Sequence, residues 1–193
     1  MTMIIVLWEG TIVLEDKLLI WKLNRGDEES LCRIYEKYRD NLVRIAAGLV
    51  NDVSIAEDMV QEVFLTLVHS SERHEIRKNL KGYLTSCIIN KIRNLNRKKL
   101  TQNPVSLDDI EPAISTLKTP DECVGYGEEC RKLYSAIEQL PYEQKETVIL
   151  HIQGRMKFRE IAKLQGTSIK TTLSRYNYGL NKLRSLLNSE AEL

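Results

Sequence analysis

The chain has 193 residues, 42% of them hydrophobic and 28% charged, which is the composition of an ordinary folded protein with room for one domain or two small ones. Twenty-eight lysines and arginines against 27 acids leave a formal net charge of +1, so neither a uniformly basic nor a uniformly acidic chain is at hand. The four cysteines (Cys32, Cys87, Cys123 and Cys130) form no C-x-x-C pair, and with three histidines they argue against a structural zinc site, any other metal centre and a disulfide framework. The opening MTMIIVLWEG carries a short apolar run with no basic flank and is interrupted by Glu9, and no apolar run approaches the ~20 residues of a membrane span. The expectation is a reduced, cytoplasmic protein with no membrane insertion and no cofactor.

Residues 1–13 form an extension of unassigned role, and Met3 to Leu14 is the one stretch that could pair as a strand. A short helix is predicted over Asp16–Asn24. Asp27 is placed to cap a second, running to about Val50, with Leu31, Ile34, Tyr35, Tyr38, Leu42, Ile45 and Leu49 on its core face. In SIAEDMVQEVFLTL, Ser54 and Glu57 have capping-box spacing, and Ala56, Met59, Val60, Val63, Phe64 and Leu67 make one apolar stripe. The opposite face holds Glu57, Asp58, Gln61, Glu62 and Leu65, and there is no lysine or arginine from Ile45 to Ser71. A face of one sign with a leucine in it has no charges nearby in sequence to pair with, and asks for an outside partner.

After the polar loop SSERHEIRKN, LKGYLTSCIINKIRNLNRKK reads as a long helix with Leu84, Cys87, Ile88, Ile92 and Leu95 on its apolar face. Asn90 and Asn94 share one side of it, beside Arg93 and Arg97. Asparagine is a poor helix former, but its amide can pair with base edges while arginines hold a phosphate backbone. Tyr83 can stack on an unpaired base. Thr101–Thr119, with Pro104 and Pro112, Pro120 just beyond it, and scattered Ser, Thr and Asp, reads as a flexible linker; Thr119, Pro120 and Glu122 then open a helix running to about Gln139. Pro141 opens the next.

The last unit, FREIAKLQGTSIKTTLSRYNYGLNKLRSLL, has helix-turn-helix spacing. Phe158, Ile161, Ala162 and Gln165 form a short helix, Gly166 turns, Ser168 caps, and Ile169, Thr172, Leu173, Tyr176, Leu180, Leu183 and Leu187 form the stripe of a longer helix. Lys170, Thr171, Ser174 and Arg175 face outward at its start, where such a unit enters the major groove. The near-neutral total also hides charge blocks. Arg77–Lys99 has eight basic residues and no acid, Asn103–Cys130 seven acids and one lysine, and Arg155–Leu187 eight basic residues and one acid. Two basic modules on either side of an acidic joint point to two contacts with a polyanion.

In the order of its motifs the chain resembles the bacterial RNA polymerase sigma factors of the extracytoplasmic-function type. The residues that carry the resemblance are GDEESLCRIYEKYRDNLVRIA, AEDMVQEVFLTL, NLKGYLTSCIINKIRNLNRKK, AIEQLPYEQKETVILH and the helix-turn-helix, over about Leu14–Leu187. The resemblance implies an all-α fold of two small helical domains joined by a flexible linker, and no catalytic residues. Residues 14–100 would bind core polymerase and recognise and melt the −10 element, 101–119 would link, and 120–193 would read the −35 element. It implies that Glu57, Asp58, Gln61, Glu62 and Leu65 dock on the clamp helices of the largest polymerase subunit. Arg77, Lys78, Asn79, Tyr83, Asn90, Arg93, Asn94, Arg97 and Lys98 would contact the −10 element, with the His74–Leu80 loop capturing a flipped-out base. Ser168, Lys170, Thr171, Ser174, Arg175 and Tyr178 would contact the −35 element. Promoter DNA, core polymerase and an anti-sigma factor are the implied partners. The recognition helix departs from the family pattern, since Leu173 stands at a usually basic position and Tyr178 where arginine is common; both changes bear on −35 recognition.

Two other readings compete. A helix-turn-helix regulator acting without polymerase would need a dimer interface, but no heptad seam is present, and the Glu57–Leu65 face would go unexplained. An enzyme such as a nuclease would need a catalytic motif; H-E-x-x-H, G-x-S-x-G and a Gly-rich phosphate loop are all missing, and Asp58 with Glu62 alone make a weak metal site.

Overall fold

The periodicity predicts helix for nearly all of the chain, and the computed structural model, which describes residues 14–70, 79–102 and 127–189, contains helices and no strand among those residues. In chain order they are α1 (14–23), α2 (Glu28–Val50), α3 (Val53–Ser70), α4 (Leu80–Gln102), α5 (Gly127–Glu138), α6 (Tyr142–Ile152), α7 (Phe158–Gln165) and α8 (Ile169–Ser189). Leu14 is already helical; the rest of the Met3–Leu14 stretch, most of the linker and the Thr119–Glu122 cap lie outside the described residues, while α4 takes in the linker's first two positions, 101 and 102.

The caps differ from expectation at two starts. Asp27 is the N-cap residue of α2, but its carboxylate does not cap; the Ser30 hydroxyl donates to its carbonyl instead, at 2.7 Å. For α3 the cap is Asp52, whose Oδ1 accepts from the Ile55 amide at 3.0 Å, and Ser54 lies one residue inside the helix. Asp52 and Ser54 both suit a cap by type. The chain leaves α2 through Asn51 in the left-handed conformation (φ 57°), a short turn that brings Asp52 and not Ser54 to the end of α3.

α2 packs against α3, α4 and α6, and α8 packs against α5, α6 and α7. Ile34, Leu42, Ile45, Val60, Leu67, Leu84, Ile88 and Ile92 are buried as their spacing predicts, each worth about 1.5–3 kcal/mol on leaving water. α1 is tied on by Leu19, Ile20 and Leu23 in this core and by the Tyr38 hydroxyl, which donates to Asp16 Oδ2 at 2.6 Å. One apolar cluster spans both halves of the chain, since Ile149 and Leu150 of α6, with Met156 and Ile161, belong to it together with α2–α4, while Ala136, Leu140, Val148 and Leu183 make a second core within the C-terminal half. The approach is close at Gly48 on α2, where an added Cβ would sit 3.1 Å from Ile149 Cδ1. The Asn41 amide closes this contact by donating to the Gln153 carbonyl at 2.9 Å. Two apolar assignments fail in α8: Ile169 and Leu173 are exposed, while Thr172 between them is completely buried. Conversely Ile89, off the predicted stripe of α4, is completely buried.

One lysine in this shared interior makes the packing sensitive to pH. Lys145 of α6 is buried, and its Nζ donates to Asn51 Oδ1 at 3.1 Å, while the Asn51 amide bonds the Glu138 carboxylate. Burial pulls the Lys145 ammonium down to about 8 from 10.5, with the Glu138 charge pulling weakly the other way. Between those two pH values the unfolded chain holds more protons than the folded one, so stability rises with pH across the window. Urea melts from pH 7 to 10 should show that rise, and Lys145→Met should flatten it and add on the order of 1 kcal/mol at pH 7. Parallel pH profiles for the two proteins would contradict the assignment.

Candidate functional site

The outer face of α3 carries the first group of predicted residues. Asp58, Gln61, Glu62 and Leu65 are exposed, Leu65 at 60%, and Glu57 is half-buried. The expected lack of charge partners is overturned by neighbouring helices. Arg39 Nη2 of α2 pairs with Glu57 Oε1 at 2.8 Å, and Lys91 of α4 pairs with Glu62. Sequence distance hid both partners. With two acids internally paired, the face is less acidic and more apolar than its sequence suggests, with Leu65 and Val68 exposed. Beside it runs a groove of about 440 Å³ between α2 and α3, lined by Leu31, Tyr35, Gln61, Phe64 and Leu65 among others, with Cys32 at its edge. The α2 side of this surface went unforeseen, because Leu31 and Tyr35 fit the core stripe; both are only partly buried.

On α4, Asn90 and Asn94 are exposed on one side, as predicted, and Arg97 and Lys98 are exposed near them. Arg97 Nη2 donates to Asn94 Oδ1 at 3.3 Å. Asn79 is the residue that caps this helix, accepting from the Gly82 amide at 2.9 Å. Tyr83 is half-buried and packs against the core. Arg77 and Lys78 lie outside the described residues. Arg93 is engaged internally: its Nη2 and Nε donate to Glu146 at 2.6 and 3.1 Å, and its Nη1 donates to the Leu164 carbonyl at 3.3 Å.

The second DNA-type unit is α7 and α8. Gly166 ends α7 in the left-handed region (φ 65°), a conformation that glycine adopts without a Cβ penalty, and Ser168 caps α8 by accepting from the Thr171 amide at 3.0 Å. Thr172 is completely buried at this turn and donates to the Ser168 carbonyl. Three rings fix both helices on α6. His151 stacks on Phe158 with centroids 4.2 Å apart, and Tyr176 meets both edge-on at 4.8 and 5.2 Å. Lys170, Thr171, Leu173 and Tyr178 are left exposed along the start of α8. Ser174 and Arg175 are half-buried.

A buried carboxylate joins the two units. Glu146 is 1% exposed, and besides Arg93 it accepts from Gln165 Nε2 at 3.1 Å; Gln165 Oε1 in turn accepts from Arg175 at 2.9 Å. The chain Arg93–Glu146–Gln165–Arg175 therefore links a residue assigned to each predicted reading surface. Sequence reasoning passed over Glu146, although an acid next to the apolar run TVIL is a recognisable sign of a buried charge that needs a partner. Among the described residues no group of three or more His, Cys, Asp or Glu is gathered as a metal site would need, and no helix is long and apolar enough to cross a membrane.

This arrangement has known counterparts. Residues 34–101 match the family Sigma-70 region 2, and residues 130–183 match Sigma-70, region 4. The chain is 27% identical over 170 residues to the ECF RNA polymerase sigma factor SigX of Bacillus subtilis (strain 168), covering 84% of this chain and 88% of the relative. It is 26% identical over 177 residues to the RNA polymerase sigma factor NccH of Alcaligenes xylosoxydans xylosoxydans, covering 90% and 95%. In fold it is similar to CnrH, solved in complex with the cytosolic domain of CnrY, with a TM-score of 0.68 at 19% identity over 91% of this chain and 98% of that one. It is also similar to the sigma factor RpoE of Bartonella quintana, solved with the anti-sigma factor NepR, with a TM-score of 0.61 at 21% identity over 85% and 98%. The chain belongs to the RNA polymerase sigma factors of the extracytoplasmic-function type, the specificity subunits that direct the polymerase to promoters.

Glu146→Gln keeps the shape and removes the charge that Arg93 neutralises. It should lower unfolding stability by about 2 kcal/mol, less than a fully buried pair would lose because Arg93 is one-third exposed. An unchanged denaturant midpoint would mean that the pair contributes nothing.

Proposed function

We propose that this sigma factor docks on core RNA polymerase through α3, contacts the −10 element through α4 and the −35 element through the start of α8, and acts as a dissociable subunit with no chemistry of its own, in the cytoplasm. The observation that carries the reading is the exposed α3 face, with Leu65 and the α2–α3 groove beside it, in a chain that also holds an outward-facing helix-turn-helix. Glu57, Asp58, Gln61, Glu62 and Leu65 are the proposed docking residues, and the clamp helices of the largest subunit are the proposed partner. With Glu57 and Glu62 paired internally, apolar contact at Leu65 supplies the affinity and Asp58 supplies charge complementarity.

Asn90 and Asn94 are the proposed −10 readers on α4, with Arg97 and Lys98 on the backbone. Lys170 and Thr171 are the proposed −35 readers. The exposed Leu173 and Tyr178 suit apolar contact with thymine methyls better than a phosphate contact. The proposed modules are residues 14–100 and 120–193, joined by the linker 101–119; α1–α4 belong to the first and α5–α8 to the second. An anti-sigma factor, as bound to one of the structural relatives, is a proposed further partner.

Distance then requires a rearrangement. The −10 and −35 elements lie about 25 base pairs apart, roughly 85 Å along B-form DNA. In the packed arrangement Arg93 and Arg175 are joined through Glu146 and Gln165. We take this arrangement as the free form, whose modules separate when polymerase and promoter are engaged. A helix-turn-helix regulator acting alone would leave the α3 face without a partner.

Leu65→Asp, at an exposed position, should weaken binding to core polymerase at least tenfold without moving the melting temperature; retained affinity would remove α3 from the interface. Replacing Asn90 and Asn94 together by Ala should leave core binding intact and reduce open-complex formation on a cognate promoter, read by permanganate footprinting. Normal melting of the −10 region would take both residues off the reading surface.

A further inference from the structure

Where the two modules meet, with no α3 residue in its lining, lies an open cleft of about 810 Å³. Its walls come from both halves of the chain. Arg44 projects from α2, Lys81 from the first turn of α4, and Arg155 and Lys157 from the turn between α6 and α7. Two acids also line it. Asp16 is engaged by Tyr38 and Lys37, and Glu160 accepts from the Lys157 amide at the start of α7. Among the described residues Arg44, Lys81 and Arg155 have no ion pair. Lys81 is half-buried; burial holds its ammonium below the ordinary lysine range, and the nearby Arg155 charge pushes the same way, against Glu160.

The backbone adds a second observation. Arg155 has φ 50°, a left-handed conformation that costs a side chain steric strain and that glycine adopts freely. The turn is fixed on both sides by backbone bonds, Gly154 N to the Ile149 carbonyl and Met156 N to the Leu150 carbonyl, both 3.1 Å. An arginine therefore occupies a position where glycine would suit the fold better, and it lines the same cleft as Lys81 from the other module.

We propose that this cleft is a binding site for a small anion carrying two or three linked phosphates, held from both modules at once. The volume falls within the range of small-ligand pockets, and the three unpaired cations, from three separate elements, match the charge of a di- or triphosphate. Arginine forks and a lysine point charge are the donors that phosphate chemistry uses. Because the site exists only while the modules are packed, its ligand stabilises the packed arrangement by mass action, whatever the chain binds after the modules separate.

The test is calorimetric titration of the full chain with inorganic triphosphate at low salt, with melting temperatures measured in parallel. Wild type should bind one equivalent with a micromolar Kd and melt higher in its presence. Arg155→Gly should melt at or above the wild-type temperature without ligand, since it relieves the backbone, yet bind at least tenfold more weakly. Arg44→Gln should weaken binding to a similar extent, and Lys22→Gln, an exposed control on α1, should change nothing. No saturable binding, undiminished binding by Arg155→Gly, or equal weakening by Lys22→Gln would each overturn the site. A short single-stranded oligonucleotide that displaced triphosphate at lower concentration would also overturn it, by making the cleft a strand contact.

Discussion

The arrangement of this sigma factor turns on a carboxylate that cannot be left alone. Glu146 is almost wholly buried, and an unpaired ionised carboxylate in such a place costs several kcal/mol. Its partners are Arg93, from the helix proposed to read the −10 element, and Gln165, which in turn holds Arg175 of the helix proposed to read the −35 element. A buried pair of this kind adds little net stability over an apolar contact of the same volume. What it fixes is position. The modules can pack in this register only if Glu146 meets its partners, and separating them exposes both the acid and the cations that DNA would take over.

The apolar contacts around it make the closed arrangement cohesive without making it permanent. Ile149 and Leu150 of α6 share a core with α2 and α4, and Gly48 lets the backbones approach closely. Against this stand groups that water would welcome back: the buried Lys145, the half-buried Lys81 and the paired Arg93. A boundary with this mixture of apolar surface and reluctantly buried charge can open when a partner supplies the missing contacts. The α3 face and the α2–α3 groove remain accessible in the packed arrangement, so the proposed docking on polymerase can precede the proposed opening.

Much of the fold was legible in the sequence, because helical periodicity is local. The core faces of α2, α3 and α4, the glycine turn before α8 and its Ser168 cap follow from spacing and residue type alone. The cap of α3 was misplaced by two residues, since Asp52 and Ser54 both suit a cap and the turn geometry that selects Asp52 is not a matter of composition. What the sequence hid is long-range. Glu146 and Arg93 are 53 residues apart, Glu57 is paired from α2, and Glu62 from α4. Ile89 is buried and Leu173 exposed for reasons set by how helices from different parts of the chain stack. The candidate surfaces were found where a face looked unsuited to its own helix, and their internal partners were missed for the same reason.

The proposed separation of the modules is tested most directly by the distance between them, read by energy transfer between labels at the exposed positions 22 on α1 and 182 on α8. In the free protein a single short distance is expected, lengthening by tens of ångströms when core polymerase and promoter DNA are added together. A long or broadly distributed distance in the free protein, or a short one retained in the promoter complex, would contradict it.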